Sequence, residues 1–92
     1  MSSADAAPMR YCFAILAEPD PNALARLFEP FVIHNVLPER FSADVGPTGA
    51  DYLVRIEFLA GADLARRLFD RIAAIVAVRR IECADRGCAI AA

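Results

Sequence analysis

Apolar residues recur along the chain with two different spacings, and these spacings predict six elements of secondary structure. Alternation with a period of two is typical of strands, and apolar residues three and four positions apart are typical of amphipathic helices. The pattern predicts strands over residues 10–17, 36–45, 51–59 and 76–84, and helices over residues 21–34 and 62–74.

The flanking segments differ from this patterned region. Residues 1–9 are small, polar and rich in alanine, so we expect a disordered N-terminal tail. Residues 85–92 are expected to form a short C-terminal tail. The chain between them, residues 10–84, is predicted to be one domain, because no linker or repeat interrupts it.

The predicted strands differ in the amount of apolar surface they carry. The strand over 10–17 is apolar on both faces, which is typical of a central strand. Pro38, near the start of the strand over 36–45, predicts an edge strand because proline cannot donate to a ladder. The residues expected on the buried faces of the second and third strands are Leu37, Phe41, Ala43, Val45, Tyr52, Val54, Ile56 and Phe58.

The first helix carries clear signals at both ends. Asp20 is a good N-cap, and Pro21 suits the first helical position, where its missing N–H costs nothing. Asn35 tolerates the left-handed conformation that ends many helices. Pro30 conflicts with this pattern, because it removes one intrahelical hydrogen bond, and we expect the helix to kink or end early there.

The order strand-helix-strand-strand-helix-strand predicts the α+β class. The simplest packing is the ferredoxin-like βαββαβ fold, a four-stranded antiparallel sheet with two helices on one face. The other face of the sheet would then expose Leu53 and Leu59. A second copy of the chain would cover such a patch, so we predict a homodimer or a higher oligomer.

Composition narrows the class of protein. The chain has 92 residues, of which 58% are hydrophobic and 24% charged, which excludes a disordered chain. A net charge of -2 argues against nucleic acid or an anionic membrane as a partner. The longest apolar runs are too short for a membrane helix. With no secretory signal and an odd number of cysteines, we expect a cytoplasmic protein.

The residues able to carry chemistry are few. Cys83 and Cys88 lack the spacing of zinc sites, and Cys12 and Cys83 fall in strands as candidate core residues. We therefore predict no metal site, no cofactor and no catalytic residue. His34, the single histidine, ends the first helix, where it can interact with the helix dipole or, in the alternative, serve as an acid or base.

The segment Pro21-Asn22-Ala23-Leu24, followed by Asn35, resembles the P-G-x-L and G-x-N-I motifs of ACT domains, which are regulatory modules that sense amino acids. The resemblance extends from Tyr11 to Ala84 and is greatest to the small regulatory subunits of acetolactate synthase. It implies an accessory protein that binds a larger catalytic subunit and a small amino-acid effector. The ligand-binding residues that it implies are Asp20, Pro21, Asn22, Ala23, Asn35 and Val36.

The chain departs from the motifs at four positions. Asn22 and Asn35 stand where the family has glycine, and Leu37 and Pro38 stand where it has asparagine and isoleucine. These departures leave two alternatives open. One is a dimeric protein-interaction module without a small ligand, and the other is a small cofactor-free enzyme of ferredoxin-like fold, with His34 at the wall of an apolar pocket.

Overall fold

A computed structural model describes residues 8–83 of the chain, which fold into the six predicted elements in the predicted order. The expected tails lie outside these residues, except that Met9 already belongs to the first strand. The elements are β1 (Met9–Ala17), α1 (Pro21–Ile33), β2 (Arg40–Val45), β3 (Tyr52–Ala60), α2 (Ala62–Ala73) and β4 (Val78–Cys83). Neither helix of this region is long and apolar enough to cross a membrane.

The four strands form one antiparallel sheet in the order β2-β3-β1-β4. β1 is a central strand and β2 an edge strand, as the sequence predicts. β1 pairs with β3 over its full length, from Met9 opposite Ala60 to Ala17 opposite Tyr52. Both helices pack on one face of this sheet, so the ferredoxin-like fold is confirmed.

The core lies between the sheet and the helices, and aromatic rings fill its centre. Phe58 of β3 is fully buried and contacts three other rings. Its ring centroid lies 4.9 Å from that of Phe13, 5.1 Å from that of Phe31 and 5.8 Å from that of Tyr11. Phe13 also meets Phe69 of α2, at 5.7 Å. One strand residue thus joins both inner strands and α1 into a single core.

The predicted start of α1 is confirmed. The Asp20 carboxylate accepts a hydrogen bond from the Asn22 backbone N–H at 3.0 Å, and Pro21 occupies the first helical position. The extended backbone of Asp20 is the usual conformation of an N-cap.

We expect the Asp20→Ala variant to lose about 1 kcal/mol of unfolding free energy, because one N–H at the start of α1 then lacks its partner. Chemical denaturation followed by circular dichroism measures this loss. Asp20→Asn is the control, since its side-chain oxygen still caps the helix. An unchanged stability in Asp20→Ala would contradict the capping role.

The end of α1 differs from one expectation. The helix does not end at Pro30 but continues to Ile33, and the Pro30 carbonyl accepts the His34 N–H at 3.0 Å. Pro30 lies in the last turn, so the missing N–H interrupts only one bond close to the end of the helix. Asn35 adopts the left-handed conformation, with φ of 57°, as predicted.

Two strands begin later than the sequence indicates. β2 starts at Arg40 rather than at residue 36, and Leu37 is 81% exposed instead of lying on the buried face. The reason is local: the Val36 N–H bonds back to the Phe31 carbonyl at 2.8 Å, and Pro38 has no N–H for a ladder. β4 starts at Val78 rather than at residue 76, because a turn occupies the preceding residues.

The two cysteines of the described region have different environments. Cys12 is buried, at 3% exposed, in agreement with the sequence analysis. Cys83, the last residue of β4, packs against the core and is disulfide-bonded, which the sequence analysis did not predict.

Candidate functional site

The connection from β1 into α1 borders a shallow depression of about 250 Å³. It lies at the N-terminal end of α1, beside the turn that precedes β4. The residues that line it are Glu18, Asp20, Asn22, Ala23, Arg26, Val76 and Ala77.

Backbone hydrogen bonds hold the two sides of this depression together. The Glu18 N–H donates to the Ala77 carbonyl at 2.9 Å, which ties the end of β1 to the turn before β4. The Asp20 carbonyl accepts the Ala23 N–H at 2.9 Å, so the first turn of α1 is closed. Ala23 is buried, and its small side chain lets the helix approach the sheet. The position of the site therefore follows from the main chain.

The depression combines charges of both signs with a small apolar surface. Glu18 and Asp20 supply carboxylates, Arg26 supplies a guanidinium, and Val76 is an almost fully exposed apolar residue. A guanidinium pairs well with a carboxylate, and a carboxylate pairs with an ammonium group. The volume suits a ligand smaller than a drug-sized molecule. This arrangement can bind a small molecule that carries both charges.

The structure brings only part of the predicted ligand-binding set together. Asp20, Asn22 and Ala23 line the depression, and Pro21 lies between them at the first helical position. Asn35 and Val36 lie beyond the other end of α1. A helix of 13 residues is about 20 Å long. Within one chain these two residues therefore cannot contact a small ligand held at the start of α1.

Four lining residues were missed by the sequence reasoning. Arg26 follows Asn22 by four positions, and this spacing places two helical residues on one side, so a signal was present. Glu18 was read only as part of the break after the first strand. Val76 and Ala77 are 53 residues or more from Arg26 in sequence minus three, too distant for any local pattern to connect them, and only the pairing of β1 with β4 brings them near.

His34 occupies the position that the sequence predicts, at the C-terminal end of α1. Its backbone N–H donates to Pro30, and the residue is half-buried. It does not line the depression at the start of α1 or the one on the sheet described next. Residues 8–83 contain no group of three or more histidine, cysteine or acidic side chains that could hold a metal ion.

A second depression, of about 430 Å³, lies on the sheet face that carries no helices. We call this surface the open face. Ala14, Leu16 and Leu53 contribute its apolar part, and the Arg80 guanidinium pairs with Glu82 at 2.7 Å. The side chains that line it, apart from two that belong to the core, are Ala14, Leu16, Ser42, Asp44, Leu53, Arg55, Arg80 and Glu82.

The comparisons with known proteins bear on the fold, which defines the chain as a ferredoxin-like domain. Among solved structures it is similar to the ACT domain of a GTP pyrophosphokinase from Chlorobium tepidum. The TM-score is 0.67 at 9% identity, over 82% of this chain and 84% of that chain. The expected ACT-like fold is thereby supported.

A second solved structure has the same fold. It is the uncharacterized protein TM1266 from Thermotoga maritima, with a TM-score of 0.64 at 14% identity, over 85% of this chain and 99% of that chain. No family model and no curated protein matches the sequence. Identities this low show a shared fold and nothing about ligand or partner.

Proposed function

We propose that the chain is a non-catalytic regulatory domain of the ACT type, which binds a free amino acid at the start of α1 and modulates an enzyme of amino-acid metabolism. The observation that carries the proposal is the depression beside Asp20, Asn22 and Ala23, three of the residues that the ACT resemblance implies. The ACT-like fold supports it independently.

The charges of this depression match an amino acid. The Arg26 guanidinium would hold the ligand carboxylate, close to the positive end of the α1 dipole. Glu18 and Asp20 would hold the ammonium group. A short apolar side chain would contact Val76, which is 95% exposed without a ligand. Valine, leucine and isoleucine are therefore the candidates.

The remaining implied residues would come from a second copy. Asn35 and Val36 are too far from Asp20 to share a ligand within one chain, so a dimer would have to bring them to the site. The effector would then favour one assembly state over another, which is how a regulatory domain alters a bound enzyme. The partner that the ACT resemblance names is the larger catalytic subunit of acetolactate synthase.

Isothermal titration of the purified chain with each standard amino acid tests this proposal. We expect valine, leucine or isoleucine to bind. Arg26→Gln is expected to weaken binding by about 10- to 100-fold, since a hydrogen bond to a charged group contributes roughly 1.5–3 kcal/mol. Arg67→Gln is the matched control, because Arg67 is an exposed arginine that pairs with Asp63 on α2.

A parallel thermal-shift series reports binding without assuming its enthalpy. A ligand at about 100 times its Kd adds roughly 2.7 kcal/mol to stability. Silence across all amino acids in both measurements would overturn amino-acid sensing by the chain. Binding that is equally strong in Arg26→Gln would place the ligand elsewhere.

One observation favours a second candidate, a dimeric interaction module without a small ligand. Leu37 stands where ACT motifs carry a ligand-contacting asparagine, and its side chain is exposed outside β2. A leucine cannot provide the hydrogen bond of an amide. A chain that dimerises and binds no amino acid would be this module.

A further inference from the structure

The strand register aligns the side chains of the open face in rows that cross the whole sheet. Alternate residues of each strand point to this face, so every row takes one residue from each strand. In the order β2, β3, β1, β4, the two rows that the register defines completely are Asp44, Leu53, Leu16, Arg80 and Ser42, Arg55, Ala14, Glu82.

Each row has a distinctive distribution of charge and size. The first row is acidic at one end, apolar in its two central positions and basic at the other end. Leu53, in its centre, is 44% exposed. The second row places a long arginine, Arg55, next to the small Ala14. No ion pair within residues 8–83 involves Asp44.

We infer that a second copy of this chain covers the open face, related by a two-fold axis that runs along the strands between β1 and β3. Such an axis places each row over the same row of the partner in the reverse order. β2 then lies over the β4 strand of the second copy, and β3 over its β1 strand. This arrangement is an isologous interface, as closed dimers require.

The reversal makes the first row complementary to itself. Asp44 lies opposite the partner's Arg80, and this ion pair occurs twice. Leu53 lies opposite the partner's Leu16, so the exposed apolar centre is buried. Arg80 already bonds Glu82 within its own chain, but a guanidinium has five N–H donors and can hold a second carboxylate.

The second row is complementary in size and in hydrogen bonding. Arg55 lies over the partner's Ala14, so the longest side chain of the row meets the smallest. Ser42 lies over the partner's Glu82, and its hydroxyl can donate to that carboxylate. Both rows therefore lead to the same axis.

The dimensions of the sheet allow this packing. Two twisted sheets pack face to face with their strands about 30° apart, which an axis close to the strand direction produces. Strands about 4.8 Å apart and six to nine residues long give a footprint of roughly 500 Å² per copy. That footprint is small among stable dimers, so the association has to be followed over a range of concentrations.

Sedimentation velocity of the ligand-free chain over a concentration series tests the inference. We expect a monomer–dimer equilibrium, and we expect Leu53→Glu to abolish the dimer. Leu37→Glu is the matched control, because Leu37 is more exposed and lies off the open face. Circular dichroism confirms that each variant is folded.

A charge exchange tests the register itself. Asp44→Arg and Arg80→Asp, made separately, each place like charges opposite each other twice, and we expect each to raise the dimer Kd by roughly 100-fold. The double variant restores opposite charges and should recover most of the loss. Recovery also excludes a folding defect as the cause.

Three results would overturn the inference. One is a chain that stays monomeric at all concentrations. Another is a dimer that survives Leu53→Glu, which would place the interface on an edge strand or on the helices. The third is a double variant as weak as the single ones. Because no effector is present, these results are independent of amino-acid binding at the start of α1.

Discussion

Replacing Phe58 with alanine is expected to lower the unfolding free energy by about 3–5 kcal/mol. Phe58 is fully buried and contacts the rings of Tyr11, Phe13 and Phe31, so truncation leaves a cavity in the centre of the core. A chain of 92 residues has a total stability of roughly 5–14 kcal/mol. The variant should therefore lose a large part of its stability, measured by urea denaturation.

Phe41→Ala is the matched control for this variant. Phe41 makes one ring contact, with Phe28 at 4.8 Å, and is 39% exposed at the edge of the sheet. Its truncation leaves a surface notch that water can fill, and we expect a loss of about 1 kcal/mol. Equal losses in the two variants would contradict a core centred on Phe58.

Tyr11→Phe is expected to stabilise the protein. Tyr11 is fully buried, and its hydroxyl has no hydrogen-bond partner within residues 8–83. An unpaired buried hydroxyl costs about 1–3 kcal/mol, and phenylalanine removes that cost while it keeps the ring contact with Phe58. For a domain of this size, 1 kcal/mol corresponds to a rise in Tm of about 4–8 °C.

Tyr52→Phe provides the comparison for the hydroxyl effect. Tyr52 lies on the same face of the sheet but is only partly buried. We expect its loss of a hydroxyl to change stability by less than about 0.5 kcal/mol. A lower Tm in Tyr11→Phe would show that a water molecule satisfies the Tyr11 hydroxyl.

The features that the sequence predicted correctly depend on neighbours in the chain. The Asp20 cap and the left-handed Asn35 involve hydrogen bonds and dihedral angles within one turn. The buried face of β3 follows from strict alternation. These signals are local, so they survive in the folded protein and were confirmed.

The predictions that failed concern the ends of elements. The first residues of β2 were placed too early because Leu37 continues the alternation. The backbone instead uses the Val36 N–H to close the end of α1, and this bond competes with the ladder. The continuation of α1 past Pro30 is a similar case, because one lost hydrogen bond matters less near the end of a helix.

By itself, the sequence determined the class of the fold, the order of its elements, the central position of β1 and the start of α1, because periodicity and capping are short-range effects. Only the tertiary structure decided which distant residues meet. Ala77 joins Glu18 at the start of α1 through the pairing of β4 with β1, and Asp44 shares a row with Arg80 through the register of four strands. Such contacts depend on strand order and register, which arise when the whole core packs and which no local pattern encodes.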